Sequence, residues 1–285
     1  MAVVNTNVGA SVAQAALVKN SRDLSSAMEQ LSTGRRINSA ADDASGLAIT
    51  NRMTAQINGL GAAIRNANDA NSMVATAEGA LEEVTDMLQR MRELAVQVTG
   101  TTTGDDRTYL NNEFTALRAE IQRIAENTEW NGNTIMDGTA GNATGVSAVN
   151  YQIGVDGGDT IEVGFGNFLS GGATMTSLQT ATLSAATVAL GLTNASTAMT
   201  TIDTAIEAVS NQRSAFGAAS NRLTHAADNL TNVKVNAEAS RSQILDTDYA
   251  AATAELARTQ IIQQAGTAML AQANQLPQTV LALLQ

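Results

Sequence analysis

Few side chains in this sequence could carry chemistry. The single histidine, His225, lies three residues before Asp228, a spacing that would set an imidazole base beside a carboxylate on one helix face. The surrounding stretch, Asn221-Arg-Leu-Thr-His-Ala-Ala-Asp-Asn-Leu230, also reads as the wet face of a bundle helix between apolar Leu223 and Leu230. That second reading is preferred, because nothing else in the stretch completes a catalytic set. The carboxylate pairs Asp42-Asp43, Glu82-Glu83 and Asp105-Asp106 are adjacent in sequence, so on a helix they splay apart and serve as caps and solvated faces. Gly164-Phe-Gly166 lacks the rest of a phosphate- or dinucleotide-binding loop. There is no Cys, hence no disulfide, thiolate nucleophile or Cys-ligated metal. One His excludes a multi-His zinc site. No enzyme, no cofactor and no metal site is expected.

The elements that hold these residues are therefore the informative part. The 285 residues are 44% hydrophobic but only 3% aromatic, with one Pro, Pro277, so most of the chain is free to be helical. A net charge of −11 argues against nucleic acid or an anionic membrane as partner. The charge is uneven: residues 1–45 balance to zero, 240–285 are close to neutral, and the middle holds nearly all of it. Near-neutral apolar surfaces associate, whereas net charge keeps surfaces apart. From Thr259 to Gln285 no side chain is charged, yet Gln recurs at 260, 263, 264, 272, 275, 278 and 285. A membrane span of that composition is costly, so membrane insertion is not expected and a helix with one wet face fits better. The first residues lack the basic start and unbroken apolar core of a cleaved secretory signal, so export by that route is not expected.

Apolar spacing is helical outside one central window. Leu17, Leu24 and Leu31 fall seven apart with Met28 between the last two, a coiled-coil-like seam. Met53, Ile57, Leu60, Ile64 and Ala67 alternate steps of four and three, as do Val74, Ala77, Leu81, Val84, Leu88, Met91, Ala95 and Val98. After a break at Thr99–Asp106, Leu110, Phe114, Leu117, Ile121 and Ile124 repeat the pattern. Ile202, Ile206, Val209, Phe216, Leu223 and Leu230 fit another seam, and Ile262, Ala265, Met269, Leu276, Val280 and Leu283 stripe the last helix. Trp130-Asn131-Gly132-Asn133 signals a tight turn with positive φ. Alternation in 150–155 and 160–163 around Asp-Gly-Gly-Asp reads as a β-hairpin. The fold expected is mainly α, an elongated antiparallel bundle of long coiled-coil helices with a small β-hairpin region. Its helices would reach about 60 Å, and its two termini would lie side by side.

Longer motifs are recognisable at both ends. Leu31-Ser-Thr-Gly-Arg-Arg-Ile-Asn-Ser-Ala-Ala-Asp-Asp-Ala-Ser-Gly-Leu-Ala-Ile49, Arg65-Asn-Ala-Asn-Asp69, Ala77-Glu-Gly-Ala-Leu81 and Gln89-Arg-Met-Arg-Glu-Leu-Ala-Val-Gln97 resemble the N-terminal signature of bacterial flagellins. Gln263-Gln-Ala-Gly-Thr-Ala-Met-Leu-Ala-Gln-Ala-Asn-Gln-Leu-Pro-Gln278 is similar to the C-terminal signature of the same family. The resemblance covers roughly residues 1–165 and 195–285. It implies a minimal flagellin with an inner D0 and a surrounding D1 domain: 1–45 as the N-terminal D0 helix, 46–178 as the D1 helices and hairpin, 179–240 as the C-terminal D1 helix, and 241–285 as the C-terminal D0 helix. The short non-helical interval near 130–175 leaves no room for further outer domains.

The same resemblance implies a secreted, extracellular subunit that polymerises with itself into the flagellar filament for motility. It also implies type III export, an export chaperone on the C-terminal helix, and filament cap and hook-junction proteins as partners. The expected polymerisation seam comprises Leu17, Leu24, Leu31, Ile262, Met269, Leu276, Val280 and Leu283. By motif, Arg90, Leu94 and Glu113 match the surface that a flagellin-sensing Toll-like receptor of animal hosts recognises. The exposed Ser and Thr of 139–147 and 170–200 would either carry O-linked sugars or keep the tip soluble. A hook–filament junction protein shares the terminal helices, but resembles this chain less around Arg90 and Gln263–Gln278. A membrane-active helical toxin would need a basic polar face, which 259–285 lack.

Overall fold

A computed structural model describes residues 7–100, 104–140, 148–169, 178, 181, 183 and 188–283, without the side chains of 188–192 and 276–283. Most of the Ser/Thr-rich stretch at 139–147, and the part of the 170–200 stretch before Val188 apart from 178, 181 and 183, lie outside the described residues. Among the described residues five helices account for most of the length: α1 Val8–Thr33, α2 Ala44–Val98, α3 Gly104–Asn127, α4 Val188–Leu245 and α5 Tyr249–Leu283. The described residues between α3 and α4 include four short strands, β1 Glu129–Trp130, β2 Asn133–Thr134, β3 Ala148–Gln152 and β4 Thr160–Gly164. They pair as two antiparallel hairpins, β1 with β2 and β3 with β4.

The chain divides into two compact units. The first combines Met1–Ile57 with Val235–Gln285, and the second spans Asn58–Lys234.

The second unit holds the main core. All eight residues of the Val74–Val98 series are buried, because steps of three and four keep them on one helix face. Opposite them α4 contributes Ala195, Ile202, Val209, Phe216 and Leu223, each seven residues from the last and each buried. Phe114, Ile121 and Ala125 of α3 complete the layer. Phe165 and Phe168 follow β4 into this core, where the Phe165 and Phe216 rings stand 5.5 Å apart at 54°. That tilted arrangement suits two aromatic quadrupoles.

The two hairpins follow from local chemistry. Asn131 and Gly132 have φ of 52° and 79°, the two positive values that a two-residue type I′ turn demands. In the second hairpin Ala148 pairs with Gly164 and Gln152 with Thr160, two residues earlier on its first strand than the sequence pattern suggests. This hairpin is fastened to α2 at three points spaced seven apart. Val155 packs against Gly59, where a Cβ would lie 3.1 Å from Val155 Cγ1. Asn66 Nδ2 donates to the Gln152 carbonyl at 2.9 Å, and the Tyr151 hydroxyl donates to Met73 Sδ at 2.6 Å. Desolvation, and then the nearby Asp69 charge, push the Tyr151 phenol up to about 12.

The first unit is an antiparallel pairing of α1 with α5, with the ends of α2 and α4 at its base. Asp43 caps α2 by accepting from Gly46 N at 2.9 Å, and Asp248 caps α5 by accepting from Ala250 N at 2.9 Å. Asp105 and Asp106 instead sit within the first turn of α3, where negative charge meets the helix dipole. The break between the last two helices falls at Asp246–Asp248, a few residues beyond the expected 240/241 boundary.

Candidate assembly surface

The terminal pair is built on small residues repeated every seven. On α1 the row is Ala13, Asn20, Ala27 and, at the helix end, Gly34; on α5 it is Ala252, Thr259, Gly266 and Ala273. Asn20, Ala27, Ala252 and Thr259 are buried. Rows of small side chains let two helix backbones approach closely, and larger neighbours then fit as knobs between them. Leu17 is such a knob: a Cβ on Gly266 would stand 2.6 Å from its Cδ2.

Close approach also allows short amides to cross between the helices. Asn20 Nδ2 donates to the Thr259 carbonyl at 2.8 Å and to Gln263 Oε1 at 3.0 Å. Asn7 caps α1, accepting from Ala10 N at 3.0 Å through Oδ1, while its Nδ2 donates to the Ala273 carbonyl at 2.8 Å. That carbonyl would ordinarily accept from the amide four residues on, but residue 277 is Pro and has no N–H.

At the base the register is closed by backbone bonds. Gly34, at φ 70°, ends α1 and accepts from Thr247 N at 3.0 Å, and Arg36 N donates to the Leu245 carbonyl at 2.7 Å. Between α1 and α2, Asp42 Oδ2 accepts from Asn38 N and Ser39 N at 3.0 and 2.8 Å. Hydrogen bonds from the Ser39 and Asn38 backbones hold the Asp42 carboxyl below its usual value, and the Gly46 amide and Ser45 hydroxyl do the same for Asp43.

The eight residues expected on one seam fall into separate places. Leu17, Leu24 and Leu31 are half-buried on the face of α1 that meets α5. Ile262 and Met269 lie beside the small-residue row and are 46% and 62% exposed. Leu276 continues their seven-residue step, but its side chain and those of Val280 and Leu283 lie outside the described residues. Ile261, Val8, Val12, Val18 and Met28 are also exposed, so Met28 stands off the leucine seam. Within the chain α1 uses the small face of α5 and leaves its large apolar row uncovered.

The three residues expected on a receptor surface also divide. Arg90 of α2 and Glu113 of α3 are exposed and form an ion pair at 2.9 Å, with Glu93 bonded to the same guanidinium at 2.9 Å. Bonding to Glu93 and Glu113 raises the Arg90 pKa further. Leu94 corrects the expectation. It is 0% exposed, sealed in the core by the i, i+3 packing of α2, so the accessible pair is Arg90 and Glu113 alone. Beside them a shallow groove of about 480 Å³ runs along Gln89, Arg92, Glu93, Val96 and Gln97. His225 and Asp228 are both exposed on α4. No helix among the described residues is long and apolar enough to cross a membrane.

The sequence matches the bacterial flagellin N-terminal helical region over residues 4–141 and the bacterial flagellin C-terminal helical region over residues 199–284. It is 44% identical to a flagellin of Halalkalibacterium halodurans, over 99% of this chain and 100% of that one. It is 36% identical to flagellin A of Vibrio cholerae, over 99% of each chain, in an alignment of 381 positions. In three dimensions it is similar to a putative flagellar hook-associated protein from Vibrio parahaemolyticus, with a TM-score of 0.58 at 14% identity, over 72% of this chain and all of that one. That likeness concerns the fold alone.

Proposed function

The chain belongs to the bacterial flagellin family and is a structural subunit of the flagellar filament, and from that premise we propose how its own residues build the polymer. The terminal pair α1–α5 forms the filament core, and it orders fully only when neighbouring copies cover it. One observation carries this reading: the Ile262–Met269 row of α5 is exposed while α1 occupies the small face next to it. Burying such side chains contributes roughly 1.5–3 kcal/mol each, which the isolated subunit forgoes. Among the described residues α1 buries only Asn20 and Ala27. A helix pair with so little buried surface is marginal in water.

Identical copies joined through a heterologous, non-closing contact make a helical filament. The exposed Gln260, Gln264, Gln272 and Gln275 then line its hydrated channel. D0 corresponds to 1–45 with 241–285, and D1 to 46–178 with 179–240. A chain without Cys and with one Pro suits unfolded passage through a type III export channel to the cell exterior, since no disulfide and one X-Pro bond stand in the way. An export chaperone shields the uncharged C-terminal helix before release, and cap and hook-junction proteins engage the same terminal helices.

The exposed Arg90–Glu113 pair and the adjoining α2 groove are the contact offered to a host Toll-like receptor. A neighbouring subunit covers the same face in the filament, so the free subunit is the recognised form. Removing residues 246–285 tests the assembly reading. The truncated chain is expected to keep the folded 58–234 unit and to give no filaments by negative-stain microscopy. Filaments from that chain would contradict the reading.

A further inference from the structure

Helix α5 presents two rows to any partner helix. The small row runs through Ala252, Thr259, Gly266 and Ala273, and the large one through Ile262 and Met269. At 100° per residue Ile262 lies about 60° from Thr259 and about 40° from Gly266, so the two rows are roughly 50° apart. Counted by apolar area alone, Leu17, Leu24 and Leu31 of α1 would gain more from the large row. The structure nonetheless seats α1 on the small one, with Leu17 against Gly266.

Asn20 accounts for that choice. It is 6% exposed, and its amide reaches both the Thr259 carbonyl and Gln263 Oε1. The approach to a backbone carbonyl requires small side chains around it, which only the small row supplies. Turned toward Ile262 and Met269, the same amide would be buried against groups that cannot accept from it. A single buried polar side chain at a helix interface fixes alignment and partner choice at some cost in stability.

We propose that Asn20 is the specificity determinant that directs α1 onto the small-residue face of α5, keeping the Ile262–Met269 row free for a second copy of the chain. The inference rests on the assembly reading above. It assigns Asn20 a positioning role in polymerisation, distinct from packing.

The absence of Cys makes the test direct. In the full-length chain, Leu17→Cys with Gly266→Cys reports pairing on the small face, and Leu17→Cys with Met269→Cys reports pairing on the large row. Each pair is assembled into filaments, oxidised mildly, and read as intramolecular disulfide by gel mobility and peptide mass. With Asn20 present, the Gly266→Cys pair is expected to close and the Met269→Cys pair to stay almost fully reduced. Adding Asn20→Leu is expected to raise the ratio of large-row to small-face disulfide at least about tenfold. An unchanged ratio in Asn20→Leu filaments overturns the proposal. Exclusion of Asn20→Leu chains from filaments with a raised ratio in the excluded chains is also expected, since a large row occupied by α1 leaves no contact for a second copy. Exclusion with an unchanged ratio makes Asn20 a packing residue and overturns the proposal. If the parental chain without the cysteines does not assemble, the assembly reading fails instead.

Discussion

Asn7 donates its side-chain amide to the carbonyl of Ala273 at 2.8 Å, 266 positions along the chain. The bond joins the start of α1 to the end of α5, and it uses an acceptor that Pro277 leaves without its usual helical donor. A helix breaker near one terminus and a capping residue near the other are thus two halves of one fastening.

Asn7→Ala removes both the cap and the crossing bond. It is expected to cost about 1–2 kcal/mol of α1–α5 stability, seen as faster amide exchange in the first turn of α1 within filaments. Pro277→Ala acts from the other side, restoring an N–H that competes for the Ala273 carbonyl. It should loosen Asn7 without unfolding α5. Unchanged exchange at Ala10 in both variants would separate the two residues.

Gly266→Ala tests the closeness of the seam. In an open helix the change gains about 1 kcal/mol, but here the new methyl meets Leu17 Cδ2 and overpacking costs about 1–3 kcal/mol. The variant is expected to lower filament melting temperature. In a Leu17→Ala background, where the space is vacated, the same change is expected to raise it. A like sign in both backgrounds would mean that the contact does not control the pair.

Ile262→Gln with Met269→Gln leaves the 58–234 unit and the α1–α5 contact untouched, because both side chains are exposed within the chain. The concentration of free subunit in equilibrium with filaments should rise at least about tenfold. Sedimentation of filaments from free subunits measures this. An unaltered equilibrium would show that neighbours do not cover the row.

Tyr151 gives the second unit an alkaline limit. Its phenol titrates at about 12, whereas in the unfolded chain it titrates near 10. Between those values the folded state holds the proton that the unfolded state has released, so stability falls as pH rises from about 10. Tyr151→Phe is expected to flatten that fall, and to cost about 0.5–1 kcal/mol at neutral pH through the lost bond to Met73. Denaturant melts at pH 8 and 11 compare the two chains.

How much of this the sequence exposes depends on side-chain size. The Val74–Val98 series and the Ile202–Leu223 heptads are large, regular and buried as their spacing implies, and Asn131-Gly132 turns as its chemistry requires. The α1–α5 seam is hidden because its rows are Ala, Gly, Thr and Asn, which carry little apolar signal. The eye goes to Ile262 and Met269, which that contact does not use. Leu94 misleads for the opposite reason: Arg90 and Glu93 around it are charged, yet its own position points inward. Asn20 stands in step with Ala13 and Ala27, and that regularity is the cue to its burial.

The central claim is that α1 and α5 order on assembly, and amide hydrogen exchange on the free subunit and on the filament tests it most directly. The account predicts fast exchange across Val8–Thr33 and Tyr249–Leu283 in the free subunit, with α2 and α4 protected between residues 58 and 234. In the filament both terminal helices should become as protected as that core. Equal protection of α1 and α5 in the two forms would contradict it.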